Sequence, residues 1–314
     1  MCCCPRALPR ACPGADVALV TGACSGIGRE LADLLAAAGY SLVLVSNRAE
    51  ALRAVASELA AAHGVAAHAL PLDLAAPGAA QELHARTLAL GLRVHVLCVN
   101  AGFFFFGEVA DTDPARAEAL LGVHVVSATL LALLFARDMR AARAGFILIT
   151  SSISAWGSFP GIALYGASKH YLKSFALSLA SELSVHNVGV TCLAPGATAT
   201  ALYDNTGVPA RTAQALGVMM QPRAVARQGL QALFRRRALS IPGCLPKLFA
   251  FFMAILPLCL IDCARRRVPW LPQAAAGAAA PAAAAPARET RAPEGAREAA
   301  AGTLGAALLP SGAQ

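Results

Sequence analysis

From residue 16 onward, short apolar runs alternate with longer stretches of helical periodicity. "DVALVTGA" (16–23), "SLVLVS" (41–46), "VAAHALPLDL" (65–74), "VHVLCVNAG" (94–102), "GFILITSS" (145–152) and "VGVTCLAPG" (188–196) read as strands. Between them Ile27–Ala38, Ala49–His63, Pro77–Gly91, Pro114–Ala142 and Leu164–His186 read as helices. A strand without a polar face must be covered on both sides. Strands joined through helices are joined by crossovers, which run them parallel. The pattern therefore predicts an α/β fold around a parallel sheet. "PRAVARQGLQALFRRR" (222–237) adds a helix with proline in its first turn, where the absent N–H does no harm. "ALSIPG" (238–243) adds a short edge strand.

The flanking segments differ in composition. Residues 1–15 carry two arginines but no apolar stretch before a cleavage site, so they do not read as a secretory signal. Residues 16–243 hold the whole strand–helix series and are expected to form one domain. Residues 244–272 contain "LPKLFAFFMAILPLCLIDCA", apolar but interrupted by Pro257. Residues 273–314 are alanine, proline and glycine with few charges, a composition expected to stay disordered because it cannot build a packed core. No uninterrupted apolar run reaches about 18 residues, the length of an ordinary spanning helix.

The net charge of +8 comes with dispersed arginines and only 6% aromatic residues, which argues against nucleic acid as a partner. Two dense patches, Arg235–Arg237 and Arg265–Arg267, flank the apolar segment and fit an anionic membrane surface better than a duplex. Ten cysteines include no C-x-x-C pair, so no metal site is expected and a reducing, cytoplasmic setting is favoured. The alternative location is the cytosolic face of an internal membrane such as the endoplasmic reticulum.

Three stretches carry chemistry. "TGACSGIG" (21–28) follows the first strand and opens its helix. Glycines there let the backbone approach a pyrophosphate seated on the helix N-terminus. At the end of the second strand stand Asn47 and Arg48, with no acid before Glu50. A carboxylate there would favour NAD(H); an arginine pairs with a 2′-phosphate, which favours NADP(H) over NAD(H). The third stretch is "YGASK". Only three of the 26 basic side chains are lysines, and Lys169 lies four residues after Tyr165, on the same helix face. An ammonium near a phenol lowers its pKa, and lysine brings a compact charge where arginine brings a planar fork. Standing alone, the pair would be one of many surface Tyr/Lys pairs.

It stands with "LDL" (72–74), "NAG" (100–102), Ser152 thirteen residues before Tyr165, and "PGATAT" (195–200). In that order these motifs resemble the short-chain dehydrogenase/reductase family over residues 16–243, in its branch acting on acyl and other lipid-like ketones. The resemblance implies a Rossmann-type doubly wound parallel sheet, followed by a C-terminal apolar helix. It implies catalysis by Ser152, Tyr165 and Lys169: Tyr165 exchanges a proton with the substrate oxygen, Ser152 orients that oxygen, and Lys169 lowers the Tyr165 pKa and holds the nicotinamide ribose. Gly22, Ser25, Gly26, Ile27 and Gly28 would border the pyrophosphate, and Arg48 the 2′-phosphate. Asp73 would meet the adenine amino group; Asn100, Ala101 and Gly102 would line the adenosine side. Pro195, Gly196 and Thr200, with Thr198 as alternative, would face the nicotinamide amide. One position departs from the family: in "VHVVS", His124 stands where an asparagine usually kinks the helix and holds a water on the proton path. A neutral imidazole is expected to bond one water instead. His170 is expected to be structural.

Phe103–Phe106, in the loop after the fourth strand, and the apolar segment after 245 lean toward a lipophilic carbonyl or alcohol substrate, acyl, sphingoid or steroid-like. Some of these phenylalanines could equally plug the core. The stretch 248–261 suits an in-plane membrane helix, or else a cover for the sheet edge or a dimer interface. The resemblance implies a homo-dimer or tetramer. A nucleotide-binding scaffold, weakened by the His124 change, is the alternative function.

Overall fold

The computed structural model describes residues 8–9, 11, 16–199 and 219–255. Thr200, Pro257, Arg265–Arg267 and the tail 273–314 lie outside the described residues. Seven strands run β1 Val17–Thr21, β2 Ser41–Ser46, β3 Ala67–Pro71, β4 Val94–Val99, β5 Gly145–Thr150, β6 Val188–Leu193 and β7 Leu239–Ser240. They form one parallel sheet in the order β3-β2-β1-β4-β5-β6-β7. The sheet is the expected Rossmann-type, doubly wound one. The strand order reverses between β1 and β4, and such a reversal opens a crevice at the strands' carboxyl ends.

The helices are α1 Gly26–Ala37, α2 Ala49–His63, α3 Ala79–Ala89, α4 Pro114–Leu121, α5 Ala128–Ala142, α6 Ala163–Ser184, α7 Pro222–Phe234 and α8 Cys244–Ile255. Because each strand is apolar on both faces, two cores form. Leu83, Leu131, Phe135 and Leu172 from α3, α5 and α6 cover one face. Leu31, Leu35, Leu52, Leu59, Leu230 and Leu233 from α1, α2 and α7 cover the other. Each fully buried leucine contributes about 2 kcal/mol, so these layers hold the strand ends rigidly.

Two elements differ from the expected boundaries. The strand expected over 65–74 pairs only over Ala67–Pro71, and Leu72–Leu74 leave the ladder to border the crevice. The helix expected over Pro114–Ala142 is interrupted by a π-helical turn, Gly122–Ser127. Such turns are rare and insert a residue into the helix. Here Gly122 approaches Ala75 so closely that a Cβ would lie 3.1 Å from its carbonyl oxygen. The combined helix Pro114–Ala142 is long and apolar enough to cross a membrane, but half of its most apolar window is buried. Its inner face belongs to the core.

α8 begins as the expected apolar helix and lies beside the 153–162 loop. Its Phe249 stacks on Phe159 at 6.1 Å, and its Met253 reaches Gly157. Ala250 is buried, while Leu245, Leu248, Phe251, Phe252 and Ile255 are exposed.

Candidate active site

The crevice above β1 and β4 is a cleft of about 310 Å³, within the size range of ligand pockets. One end is built by the glycine turn. Gly22 and Gly26 adopt φ of +70° and +56°, a region open to glycine at little cost. Gly28 serves differently from the expectation. It does not line the cleft; a Cβ there would sit 2.2 Å from the Gly22 carbonyl oxygen, so it permits close packing of α1 on β1. Ser25 caps α1 without a side-chain cap bond, because its Oγ accepts instead from Arg48 Nη2 at 3.0 Å. The first amides of α1 are left facing the cleft, the usual seat for an anion. Gly22, Ser25, Gly26, Ile27 and Arg48 all line it.

Thr21 latches the two strands that flank the crevice. Its Oγ1 accepts from the Asn100 and Ala101 amides, both at 2.9 Å. The Asn100 side chain donates to Thr21 O at 3.2 Å and accepts from Thr150 Oγ1 at 3.3 Å. Asn100 thus ties β1, β4 and β5 together while bordering the cleft beside Ala101 and Gly102. Asp73 also lines the cleft, with Oδ1 accepting from the Ala75 amide at 3.0 Å. Pro195, Gly196 and Thr198 close the far wall, where Thr198 Oγ1 donates to Gly196 O at 3.0 Å.

Ser152, Tyr165 and Lys169 converge at the middle of the cleft. Ser152 follows β5, and its Oγ accepts from the Ser154 amide at 3.1 Å, which leaves the hydroxyl proton to donate. Tyr165 and Lys169 share a face of α6. Lys169 is only 4% exposed, and its Nζ donates to Thr150 O at 3.0 Å. That Nζ stands 5.5 Å from the Tyr165 ring centroid. Loss of hydration brings the Lys169 pKa down to about 8. The Phe104 ring meets the Tyr165 ring in a T-shaped contact at 4.9 Å. Phe103–Phe105 are half-buried and Phe106 is exposed, so these rings are not core plugs.

His124 is buried in the π-helical turn beside these groups. Its Nε2 accepts from the Phe103 amide at 3.1 Å, which assigns the ring proton to Nδ1. Nδ1 donates to Ser168 Oγ at 2.9 Å, and that hydroxyl donates to Tyr165 O at 2.7 Å. Burial first, and then the Lys169 charge, hold the imidazole well below the usual histidine pKa. The expectation that this ring would bond a water is corrected: protein groups occupy both nitrogens. His170 is turned to its own helix, bonded to Gly166 O at 3.0 Å.

Sequence reasoning missed Thr21, Thr150 and Lys173. Lys173 Nζ donates to Ala155 O at 2.5 Å and lies 4.3 Å above the Trp156 ring, pinning the turn that follows Ser152. The signal was present, since Lys173 is one of three lysines and lies two helical turns beyond Tyr165. The buried Cys98 and Cys192 thiols are pushed up to about 12 by burial, so they pack rather than react.

Similarity to known proteins agrees with this geometry. The pattern that defines the short chain dehydrogenases matches residues 16–208. Dehydrogenase/reductase SDR family member 7B of Bos taurus is 35% identical over 222 residues, covering 68% of this chain and 67% of the relative. A 7beta-hydroxysteroid dehydrogenase of Collinsella aerofaciens is 30% identical, over 58% of this chain and 68% of its own. The structure of a short-chain dehydrogenase from Sphingobium yanoikuyae in complex with NADPH superposes with a TM-score of 0.67 at 27% identity, over 85% of this chain and 99% of that one.

Proposed function

The chain belongs to the short-chain dehydrogenase/reductase family and is an NAD(P)-dependent oxidoreductase, and from there we propose that it interconverts a lipophilic ketone and a secondary alcohol using NADP(H). One observation carries the reading. The buried Lys169 ammonium lies 5.5 Å from the Tyr165 ring centroid and the Phe104 ring meets that ring at 4.9 Å, and Ser152, Tyr165 and Lys169 line the same cleft as the glycine turn. The residues present fit the dinucleotide: positive-φ glycines at Gly22 and Gly26, open amides at the start of α1, and the Ser25–Arg48 pair.

In this reading Gly22, Ser25, Gly26 and Ile27 hold the pyrophosphate. Arg48 and Ser25 take the 2′-phosphate, Asp73 the adenine amino group, and Asn100, Ala101 and Gly102 the adenosine. Pro195, Gly196 and Thr198 orient the nicotinamide amide. NADPH, when bound, supplies the hydride. Ser152 donates its hydroxyl proton as a hydrogen bond to the carbonyl oxygen and fixes its direction. Tyr165 transfers its phenolic proton to that oxygen as negative charge develops there. Lys169 favours the resulting phenolate by its charge. Phe103, which lines the cleft, and Phe104, packed on Tyr165, supply an apolar wall on the substrate side, and the similarity to a 7beta-hydroxysteroid dehydrogenase supports a lipid-like ketone.

The test is NADPH oxidation against matched long-chain, steroid and short-chain ketones. Turnover that favours the lipophilic members by at least tenfold in kcat/KM is expected; equal or absent turnover would overturn the substrate class. In the same assay Arg48→Ala should narrow the NADPH-to-NADH affinity ratio roughly tenfold, the size of one exposed charge-assisted contact. An unchanged ratio would remove Arg48 from the 2′-phosphate site.

The surroundings belong to the same proposal. Residues 16–243 form the catalytic unit, and α8 lies in the plane of the cytosolic surface of an internal membrane. Its exposed Leu245, Leu248, Phe251, Phe252 and Ile255 would enter the acyl region, with exposed Lys247 meeting anionic headgroups. Phe251→Ser with Phe252→Ser should lower binding to anionic vesicles more than tenfold, given about 1.5–3 kcal/mol for each buried phenylalanine. Unchanged binding would make α8 a cover or an interface instead. Exposed Leu121, Val126, Leu133 and Tyr171 on α4, α5, the π turn between them and α6 support a homo-oligomer, which sedimentation velocity would reveal.

A further inference from the structure

We propose that His124 is a positioning residue that clamps the aromatic loop Phe103–Phe106 to the helix carrying Tyr165, so that the wall facing the substrate is set by one imidazole. The clamp has two jaws. Nε2 holds the Phe103 amide at 3.1 Å, at the point where the loop leaves β4. Nδ1 holds Ser168 Oγ at 2.9 Å, and Ser168 in turn bonds Tyr165 O at 2.7 Å. The ring lies directly against the loop backbone: a Cβ on Gly102 would sit 2.5 Å from Nε2, so only glycine leaves space for it. The imidazole meets Phe103 and Tyr165 in T-shaped contacts, at 6.1 and 5.8 Å between centroids. The next ring along the loop, Phe104, packs on Tyr165.

The π-helical turn is what lets a ring reach both partners. It carries His124 at its centre, where the extra residue turns the side chain inward between the loop and α6. No shorter side chain spans the gap. The amide of asparagine matches the imidazole only at Nδ1, and that of glutamine only at Nε2. His124→Asn therefore keeps the Ser168 jaw and releases Phe103, whereas His124→Gln keeps the Phe103 jaw and releases Ser168.

For its consequence on substrate, the proposal rests on the carbonyl-reductase reading; for the amide itself it does not. The experiment measures hydrogen exchange of the peptide covering residues 100–108 in the full chain, then KM and kcat for a long-chain ketone with NADPH. In His124→Asn the Phe103 amide should exchange roughly tenfold faster, the expected effect of removing a partly buried donor's partner. KM for the long-chain ketone should rise about tenfold, with a much smaller fall in kcat. His124→Gln should restore slow exchange of the Phe103 amide while KM stays raised, because its jaw to Ser168 and the Tyr165 helix is open. Slow exchange in His124→Asn, or the same exchange in both variants, overturns the clamp. A parallel loss of kcat and thermal stability in both, without a KM split, assigns His124 to structure alone and also overturns it. If the unaltered enzyme turns over no ketone, the substrate reading fails while the exchange comparison still decides the clamp.

Discussion

Tyr165→Phe should lower the rate of ketone reduction by about 10³-fold while NADPH continues to bind. The substitution removes one oxygen and nothing else. The phenyl ring keeps its edge contacts with Phe104 and His124, at 4.9 and 5.8 Å, so the cleft holds its shape. What disappears is the proton that meets the developing charge on the substrate oxygen. General acid catalysis by a positioned group is worth about 10²–10⁴-fold. The measurement is single-turnover reduction at saturating NADPH, with cofactor affinity followed by fluorescence. A variant that reduces ketone within tenfold of the unaltered enzyme would remove Tyr165 from the chemistry. Ser152→Ala is the natural companion, since Ser152 orients the same oxygen without giving up its proton.

Lys169 should show a second large effect with a pH signature. Its buried Nζ donates to Thr150 O, and a planar guanidinium cannot supply the same compact charge there. Lys169→Arg and Lys169→Met should each reduce kcat/KM by about 10²-fold or more. Because burial lowers the Lys169 pKa to about 8, the ammonium is present at neutral pH and is lost above it. NADPH-dependent reduction should therefore hold steady to about pH 8 and decline beyond. A flat profile through pH 10 would refute the role.

Stability runs the other way. The folded pKa lies below the ordinary lysine value of 10.5, so between about pH 8 and 10.5 the unfolded chain binds more protons than the folded one. Stability contributed by this group then rises with pH across that window, and the buried charge is a burden below it. Lys169→Met relieves the burden and leaves Thr150 O without its donor, which offsets part of the gain. A net rise of about 1 kcal/mol, a few degrees in Tm, is expected together with the lost activity. Activity and stability moving in opposite directions would mark Lys169 as a functional group held at a structural cost.

How much of this could be read from the chain varies from residue to residue. Helical spacing put Tyr165 and Lys169 on one face, but it took the ordered company of "TGACSGIG", "NAG", Ser152 and "PGATAT" to set the pair apart from any surface Tyr/Lys pair. The resemblance places Gly28 at the pyrophosphate, whereas a glycine's reason depends on what its absent Cβ would strike. That neighbour is the Gly22 backbone. Nothing in "VHVVS" reveals that Phe103 and Ser168, 21 and 44 residues away, arrive at the two nitrogens of His124, so the sequence alone leaves room there for a water.

Periodicity along the chain sufficed for the parallel sheet, and helical spacing for the shared face of Tyr165 and Lys169, whereas the expected roles of Ser152, Tyr165 and Lys169 came from the resemblance to a family. Apolar runs with no polar face must be buried on both sides, and residues spaced by a helical turn must share a face, whatever surrounds them. Which polar atoms are already committed to holding the fold emerges only in three dimensions. Thr21 is consumed in holding the Asn100 and Ala101 amides. Lys173 is consumed in holding the turn after Ser152, and His124 in joining loop to helix. Ser152 keeps a proton to give, and Lys169 keeps a charge in a slot that disfavours it. The physical reason is that local pattern depends on period and hydration, both written along the chain. The satisfaction of a hydrogen bond depends on which distant backbone group the fold brings within about 3 Å.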